Sequence, residues 1–328
     1  MHSSLLDGCF FLCEIGGIVM TIFEDAKKGL VLDGAMSDEL QRQGIDLNSK
    51  LWTASALIDQ EEKVYQAHLN YFKAGANIVI TDTYQANLPA FEKAGYSQNQ
   101  ADEFIKKAVR IAKQARDNYE KQTRIHNYVA GTVGPYGAYL ADGNEYRGDY
   151  ELSSQEYLDF HLPRLRLILA EKPDLIALET QPKLTETQVL LDWLTQHARE
   201  VPVYVSFTLK NEVTISDGTS LAHAAQVVDN YKQVIGIGIN CVAPNLVTPA
   251  LELLSKNTTK PLVVYPNQGA SYNPVIKEWE EVKEHFDFSK LTKTWYEKGA
   301  RLIGGCCTTG PKEVKQISTT LNQLKERR

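Results

Sequence analysis

The residues best suited to chemistry in this chain are three cysteines that end apolar, β-branched runs. Cys241 closes VIGIGINC (234–241), and the adjacent pair Cys306 and Cys307 closes RLIGGCC (301–307). Three thiolates with a fourth position open make a catalytic zinc site, because catalytic zinc keeps one place for water or substrate. Soft thiolates also select zinc or copper over magnesium or calcium. Adjacent residues on a regular strand point to opposite faces. For Cys306 and Cys307 to serve one ion, the backbone must therefore leave the pleat, and Gly304-Gly305 just before them permit that path. Two plainer readings stand beside this one. Free cysteine is often a small buried core residue, and an adjacent thiol pair can be a redox switch, which leaves Cys241 without a role. A free thiol is only a few per cent ionised near neutral pH, whereas a coordinated one is deprotonated outright. Three cysteinates and a substrate thiolate around one dication would leave an anionic, electron-rich sulfur. Such a sulfur can attack the methyl group of an onium donor without a general base.

The elements that must position these thiols are eight short apolar runs, at 29–34, 77–83, 128–134, 174–180, 202–209, 234–241, 261–268 and 301–307. Their lengths and Val/Ile content suit strands buried on both faces. Between them lie helical stretches, including 61–74, 101–119 and 311–324, whose apolar residues recur at helical spacing. Strand and helix in alternation imply parallel strands, and eight of them point to a single (β/α)₈ TIM barrel. A doubly wound open sheet is the alternative, but no G-x-G-x-x-G follows the first run. Nearly every run is apolar inside and polar or reactive at its end: Asp33, Asp82, Glu179, Thr208, Asn240, Asn267 and the cysteines. In this fold those C-terminal ends meet on one face, where active sites are built.

Bulk properties agree with one soluble domain. The 328 residues are 43% hydrophobic and 23% charged, ordinary for a globular enzyme. A net charge of −6 argues against nucleic-acid and acidic-membrane partners, and no apolar stretch approaches bilayer length. Five cysteines, an odd number without a secretion signal, fit a reducing, cytoplasmic setting. Residues 1–19 read as an N-terminal extension of unclear role, with Met20 as a possible start; residues 20–328 read as the barrel domain. The partners are small-molecule substrates, and the chain is expected to be a monomer or weak oligomer.

Several segments together resemble the homocysteine S-methyltransferase family. They are LDGAMSDELQRQGIDLNSKLW (32–52), AGANIVITDTYQAN (74–87), GTVGPYGAYLADGNEYRGDY (131–150), ALETQP (177–182), GINC (238–241), VVYPNQG (263–269) and GGCC (304–307). The resemblance implies the barrel fold, one zinc per chain on Cys241, Cys306 and Cys307, and methyl transfer to homocysteine to give methionine. It implies further that Asp33 and Glu179 contact the homocysteine amino group, and paired carboxylates suit an ammonium by charge-assisted hydrogen bonds. An Asp in an Asp-Gly turn often bonds local backbone instead, whereas Glu179 after LIAL is costly to place without a partner. The twenty-one residues beyond Cys307 resemble the compact branch that uses S-methylmethionine and, less well, S-adenosylmethionine. Betaine-using relatives carry a longer C-terminal extension, and have Tyr where this chain has Thr180. Two positions depart from the family pattern: Ala270, where compact relatives have Glu, and Thr308 after the second cysteine.

Other residues carry less. His68 and His161 fall in helical stretches away from strand ends and are expected to be structural or solvent-facing. Asp142-Gly143-Asn144-Glu145 lacks the full spacing of a calcium loop and reads as a loop over the barrel mouth. Trp52, Tyr84, Tyr136, Tyr139 and Tyr146 are aromatic candidates to face a sulfonium. A barrel lyase or aldolase with incidental cysteines, and a zinc-storing or thiol-redox protein, are the competing readings.

Overall fold

The computed structural model describes residues 22–49, 51–269 and 286–327 in full. It gives the backbone alone at Glu14–Ile15, Ile18–Val19, Tyr272–Asn273 and Glu278–Trp279. Apart from those two short strands the expected N-terminal extension, with Cys9 and Cys13, lies outside the described residues, as does Ala270.

The eight runs become eight parallel strands: β1 Leu30–Val31, β2 Ile78–Ile80, β3 Tyr128–Val133, β4 Leu175–Gln181, β5 Val203–Phe207, β6 Val234–Asn240, β7 Leu262–Tyr265 and β8 Ala300–Ile303. They pair in the order β1-β8-β7-β6-β5-β4-β3-β2. A parallel bridge from Leu32 to Ile78 joins the two ends and closes the barrel. A helix follows each strand: α1 Glu61–Ala74, α2 Gln98–Thr123, α3 Ser154–Ala170, α4 Leu184–His197, α5 Leu221–Asp229, α6 Pro244–Leu254, α7 Phe288–Glu297 and α8 Pro311–Glu326. Helix α2 starts earlier than its apolar spacing indicates because Ser97 and Gln100 form a capping box at its N-terminus. Several strands stop short of their apolar runs, since the polar residues at their ends already belong to the loops of the mouth.

Alternation along the strands makes two cores. Leu32, Ile78, Ala130, Leu175, Ala177, Val263 and Leu302 fill the barrel interior, while Val129, Ile176, Leu178, Val205 and Ile239 pack outward under the helices. Period two then carries Glu179 inward after Leu175 and Ala177, and Thr132 inward after Ala130. Among the described residues no helix is long and apolar enough to cross a membrane.

A buried polar hub ties the outer helices to the mouth. Glu186 of α4 accepts hydrogen bonds from the Tyr136 N–H (2.6 Å), from the Tyr150 hydroxyl (2.5 Å) and from His161 Nε2 (2.7 Å). Arg164 of α3 donates to His161 Nδ1 (3.0 Å) and to the carbonyls of Tyr84 (2.9 Å) and Gly134 (2.8 Å). His161 therefore receives at Nδ1 and donates at Nε2, and burial lowers its pKa, so it is neutral. The loop after β3 and the turn after β2 are both fastened to this hub.

Two predictions follow from burial. Removing the acceptor in Glu186→Ala strands three donors and should cost about 3 kcal/mol in urea denaturation, against about 1 kcal/mol for Tyr150→Phe. A loss below about 1 kcal/mol for Glu186→Ala would show that the hub contributes no net stability. His68 on α1 is fully buried, neither ring nitrogen has a protein partner, and burial depresses its pKa to about 3. The unfolded chain takes a proton near pH 6.5 that the folded chain refuses. Stability should thus fall by about 2 kcal/mol between pH 7 and pH 5, and His68→Leu should flatten that slope. Parallel slopes for the two proteins would refute the assignment.

Candidate metal and substrate site

Strands β6 and β8 flank β7, and the end of β7 positions both cysteine segments. The Cys241 N–H donates to the Tyr265 carbonyl (3.0 Å) and the Cys306 N–H to the next one, Pro266 (2.9 Å). The pleat ends at Ile303, ahead of the two glycines. Their role differs from the expected one, because neither Gly304 nor Gly305 has a positive φ. What they supply is room: a Cβ on Gly304 would lie 2.6 Å from Leu32 Cβ, and one on Gly305 would lie 2.1 Å from Thr309 Oγ1. The left-handed residues are Cys241 (φ 51°) and Thr308 (φ 64°) themselves.

The outcome is that the three sulfurs lie within 4.8 Å of one another, with Cys241 Sγ 3.5 Å from Cys307 Sγ. Sulfurs at tetrahedral zinc, with Zn–S about 2.3 Å, stand roughly 3.8 Å apart. The thiols share their protons unevenly. Hydrogen bonds from Cys306 and Cys307 hold Cys241 well below the usual thiol range, and Cys241 in turn pushes the other two up. All three can ionise together only beside a cation, and no Lys, Arg or His lines the pocket among the described residues. The donor set fits a soft dication.

Four carboxylates share this pocket: Asp33, Asp82, Glu145 and Glu179. Glu179 accepts from the Thr132 hydroxyl (2.5 Å) and the Tyr265 hydroxyl (3.2 Å). Burial raises its pKa to about 7 against those two bonds, and the charge of Cys241 adds to the rise. Asp33 accepts from the Ile80 N–H (2.8 Å), a bond across to β2 at the barrel seam and not a local turn contact. Burial pushes Asp33 well above the usual carboxylate range.

In the sequence Asp82 reads only as a strand-end residue and Glu145 only as part of the loop over the mouth. Burial raises Asp82 to about 6 and Glu145 to about 7. Glu145 is set by Thr208, another strand-end residue, whose hydroxyl donates to the Glu145 carbonyl (3.0 Å). The loop carrying it is folded on itself, with Asp142 accepting from the backbone (3.0 Å) and side chain (2.9 Å) of Asn144. No sequence signal pointed to Glu145. For Asp82 the signal was a carboxylate just beyond an apolar strand.

Of the aromatic candidates, Trp52, Tyr84 and Tyr146 line the pocket. Trp52 meets Tyr84 edge-on with ring centroids 6.4 Å apart, and the Tyr146 hydroxyl lies 3.4 Å from Cys241 Sγ. Tyr136 and Tyr139 instead pack on Phe160, outside it. His68 and His161 are both structural, and both are fully buried. Asn240 joins the two halves of the site: its Oδ1 accepts from the Thr180 N–H (2.8 Å) and its Nδ2 donates to Thr180 Oγ1 (2.8 Å). That grip holds Thr180 at φ 57° and fixes both the carboxylate before it and the thiol after Asn240.

Comparison with known proteins agrees with this architecture. The family model described as homocysteine S-methyltransferase matches residues 30–321. The chain is 40% identical over 301 residues to homocysteine S-methyltransferase YbgG of Bacillus subtilis, covering 90% of this chain and 95% of that one. It is 42% identical over 296 residues to the homocysteine S-methyltransferase of Escherichia coli, covering 89% and 95%. The metallated crystal structure of the homocysteine methyltransferase MmuM from Escherichia coli superposes with a TM-score of 0.82 at 38% identity, over 90% of this chain and 97% of that one. With a barrel of the same kind along nearly its whole length and three thiols gathered at the mouth, the chain belongs to the homocysteine S-methyltransferase family, enzymes that methylate homocysteine.

Proposed function

We propose that the enzyme uses one zinc ion, held by Cys241, Cys306 and Cys307, and takes its methyl group from a sulfonium donor, S-methylmethionine before S-adenosylmethionine. The observation that carries this reading is a cluster of three thiols in a pocket with four carboxylates and no cationic side chain among the described lining residues. Bound there, zinc would supply the positive charge that keeps the substrate sulfur ionised at neutral pH.

The chain's own residues bind and orient. Glu179 and Asp33 accept hydrogen bonds from the homocysteine ammonium, each carboxylate having lone pairs beyond those already used. Trp52, Tyr84 and Tyr146 line the path of the donor and keep water from the reacting atoms. The acceptor thiolate attacks the methyl carbon in line, the methyl–sulfur bond of the donor breaks, and its electron pair leaves with a neutral thioether. No proton moves in that step, so no general base is required.

The pocket's charge favours this donor class. S-Methylmethionine and S-adenosylmethionine each carry two cationic groups and one carboxylate, a net positive charge, whereas in betaine one cationic group and one carboxylate cancel, so only the sulfonium donors bring surplus positive charge into a site rich in carboxylates. Like charges disfavour one another strongly where water is excluded.

The test is methionine formation by reduced, zinc-replete protein given homocysteine with each of the three donors in parallel. Product from the sulfonium donors, with Cys241→Ser losing zinc and at least a hundredfold in rate, is the expected result; even changes to residues that only hydrogen-bond a metal's ligands cost about 10–100-fold. Product from betaine alone would overturn the donor assignment. Full activity in a zinc-free protein would overturn the metal.

A further inference from the structure

The four carboxylates of the pocket are not equivalent. Glu179 and Asp33 already accept hydrogen bonds from the protein. Asp82 and Glu145 are 3% and 6% exposed, yet Asp82 Oδ2 and Glu145 Oε2 have no hydrogen-bond partner. A buried carboxylate oxygen without a partner is costly, and each such group calls for an explanation. No cationic side chain lines the pocket among the described residues, so a cationic ligand is the partner that would offset both the open oxygens and their charge.

Their positions differ in a useful way. Glu145 precedes Tyr146, whose hydroxyl touches Cys241 Sγ at 3.4 Å, so it sits at the thiol end of the pocket. Asp82 follows β2, four places from β6 in the strand order, and hence on the opposite side of the mouth from Cys241. It lies within hydrogen-bond reach of Thr53, beside the Trp52–Tyr84 pair. A donor whose methyl group must reach the thiol end and whose body extends toward β2 would place a cation against each carboxylate.

Resting on the sulfonium reading above, we propose that Glu145 and Asp82 form the donor subsite, Glu145 facing the sulfonium and Asp82 the α-ammonium. The enzyme then selects donors that carry both charges, and it does so with residues separate from those that hold homocysteine. The ammonium would donate a charge-assisted hydrogen bond to Asp82, whereas the sulfonium, which has no N–H or O–H, would meet Glu145 as a bare charge pair; each contact is expected to be worth roughly tenfold in affinity.

The experiment titrates S-methylmethionine into zinc-loaded protein by calorimetry without homocysteine, and measures KM for both substrates, in the parent, Glu145→Gln, Glu145→Asp and Asp82→Asn. Both neutral variants should weaken S-methylmethionine about tenfold while the homocysteine KM stays within twofold. Glu145→Asp keeps the charge and should fall between the parent and Glu145→Gln. With trimethylsulfonium, which lacks an ammonium, the penalty of Asp82→Asn should shrink below threefold and that of Glu145→Gln should persist. Each neutral variant also removes a buried orphan charge, so thermal unfolding should show a stability no lower than the parent's. Dissociation constants within twofold of the parent, or a rise in the homocysteine KM instead, would overturn the subsite. A parent that transfers methyl only from betaine would bring down the sulfonium reading itself. Parent activity with sulfonium donors combined with indifferent variants would sink the subsite alone.

Discussion

Both arms of the thiol cluster hang from one edge, the consecutive carbonyls of Tyr265 and Pro266 where β7 ends. The three sulfurs come from segments more than sixty positions apart, and a metal-sized cluster tolerates errors of only tenths of an ångström. Two independent loops would not hold such a tolerance. Here the tolerance is that of a β-ladder, because both cysteine segments go on donating to β7 and its end after their own strands have formally ended, Cys241 to Tyr265, and Gly304 and Cys306 to Val264 and Pro266. The same strand places the Tyr265 hydroxyl on Glu179 and within 2.5 Å of the Ser206 hydroxyl. Metal site and carboxylate therefore share one ruler, and disturbing β7 would misplace both at once.

The electrostatics of the mouth run against stability. Three thiols and four carboxylates sit where desolvation penalises the charged form of each, and no basic side chain offsets them among the described lining residues. A core under selection for stability alone would not be built this way. The barrel tolerates it because the interior layer beneath the mouth and the layer under the helices are each an unbroken apolar cluster.

Much of this was legible in the residues. Each of the eight strands starts within one residue of its apolar run, though several end up to four residues early, and the cysteines, Asp33 and Glu179 meet at the mouth, because period-two alternation and strand count fix which residues reach it. What the sequence could not disclose was the state of each group on arrival. Glu179 stands between Thr132 and Tyr265, residues 47 and 86 positions away, and Asp33 spends a lone pair on the β2 backbone at the barrel seam. Both depend on register across the sheet. Glu145 was hidden for a different reason: it is delivered by a loop whose path is set by Asp142, Asn144 and Thr208, contacts that leave no periodic trace. The glycines before the cysteines read as the place where the backbone leaves the pleat, and the structure shows why they must be glycines: close packing, with no positive φ at either.

Backbone strain shows where the fold was bent to the site. Seven non-glycine residues among those described have positive φ, and four of them, Trp52, Ala141, Thr180 and Cys241, line the pocket. Such conformations cost of order 1–3 kcal/mol each and persist only where the surroundings over-determine them. The surroundings can be named for two. Thr180 is clamped by both side-chain atoms of Asn240, and Cys241 is tied by its own N–H to Tyr265. Because Asn240 immediately precedes Cys241 while Thr180 immediately follows Glu179, one amide side chain sets the spacing between the thiol and the carboxylate. The proposed acceptor geometry, sulfur at the cluster and ammonium at Glu179, is thus braced, beside β7, by an amide side chain that does not itself line the pocket.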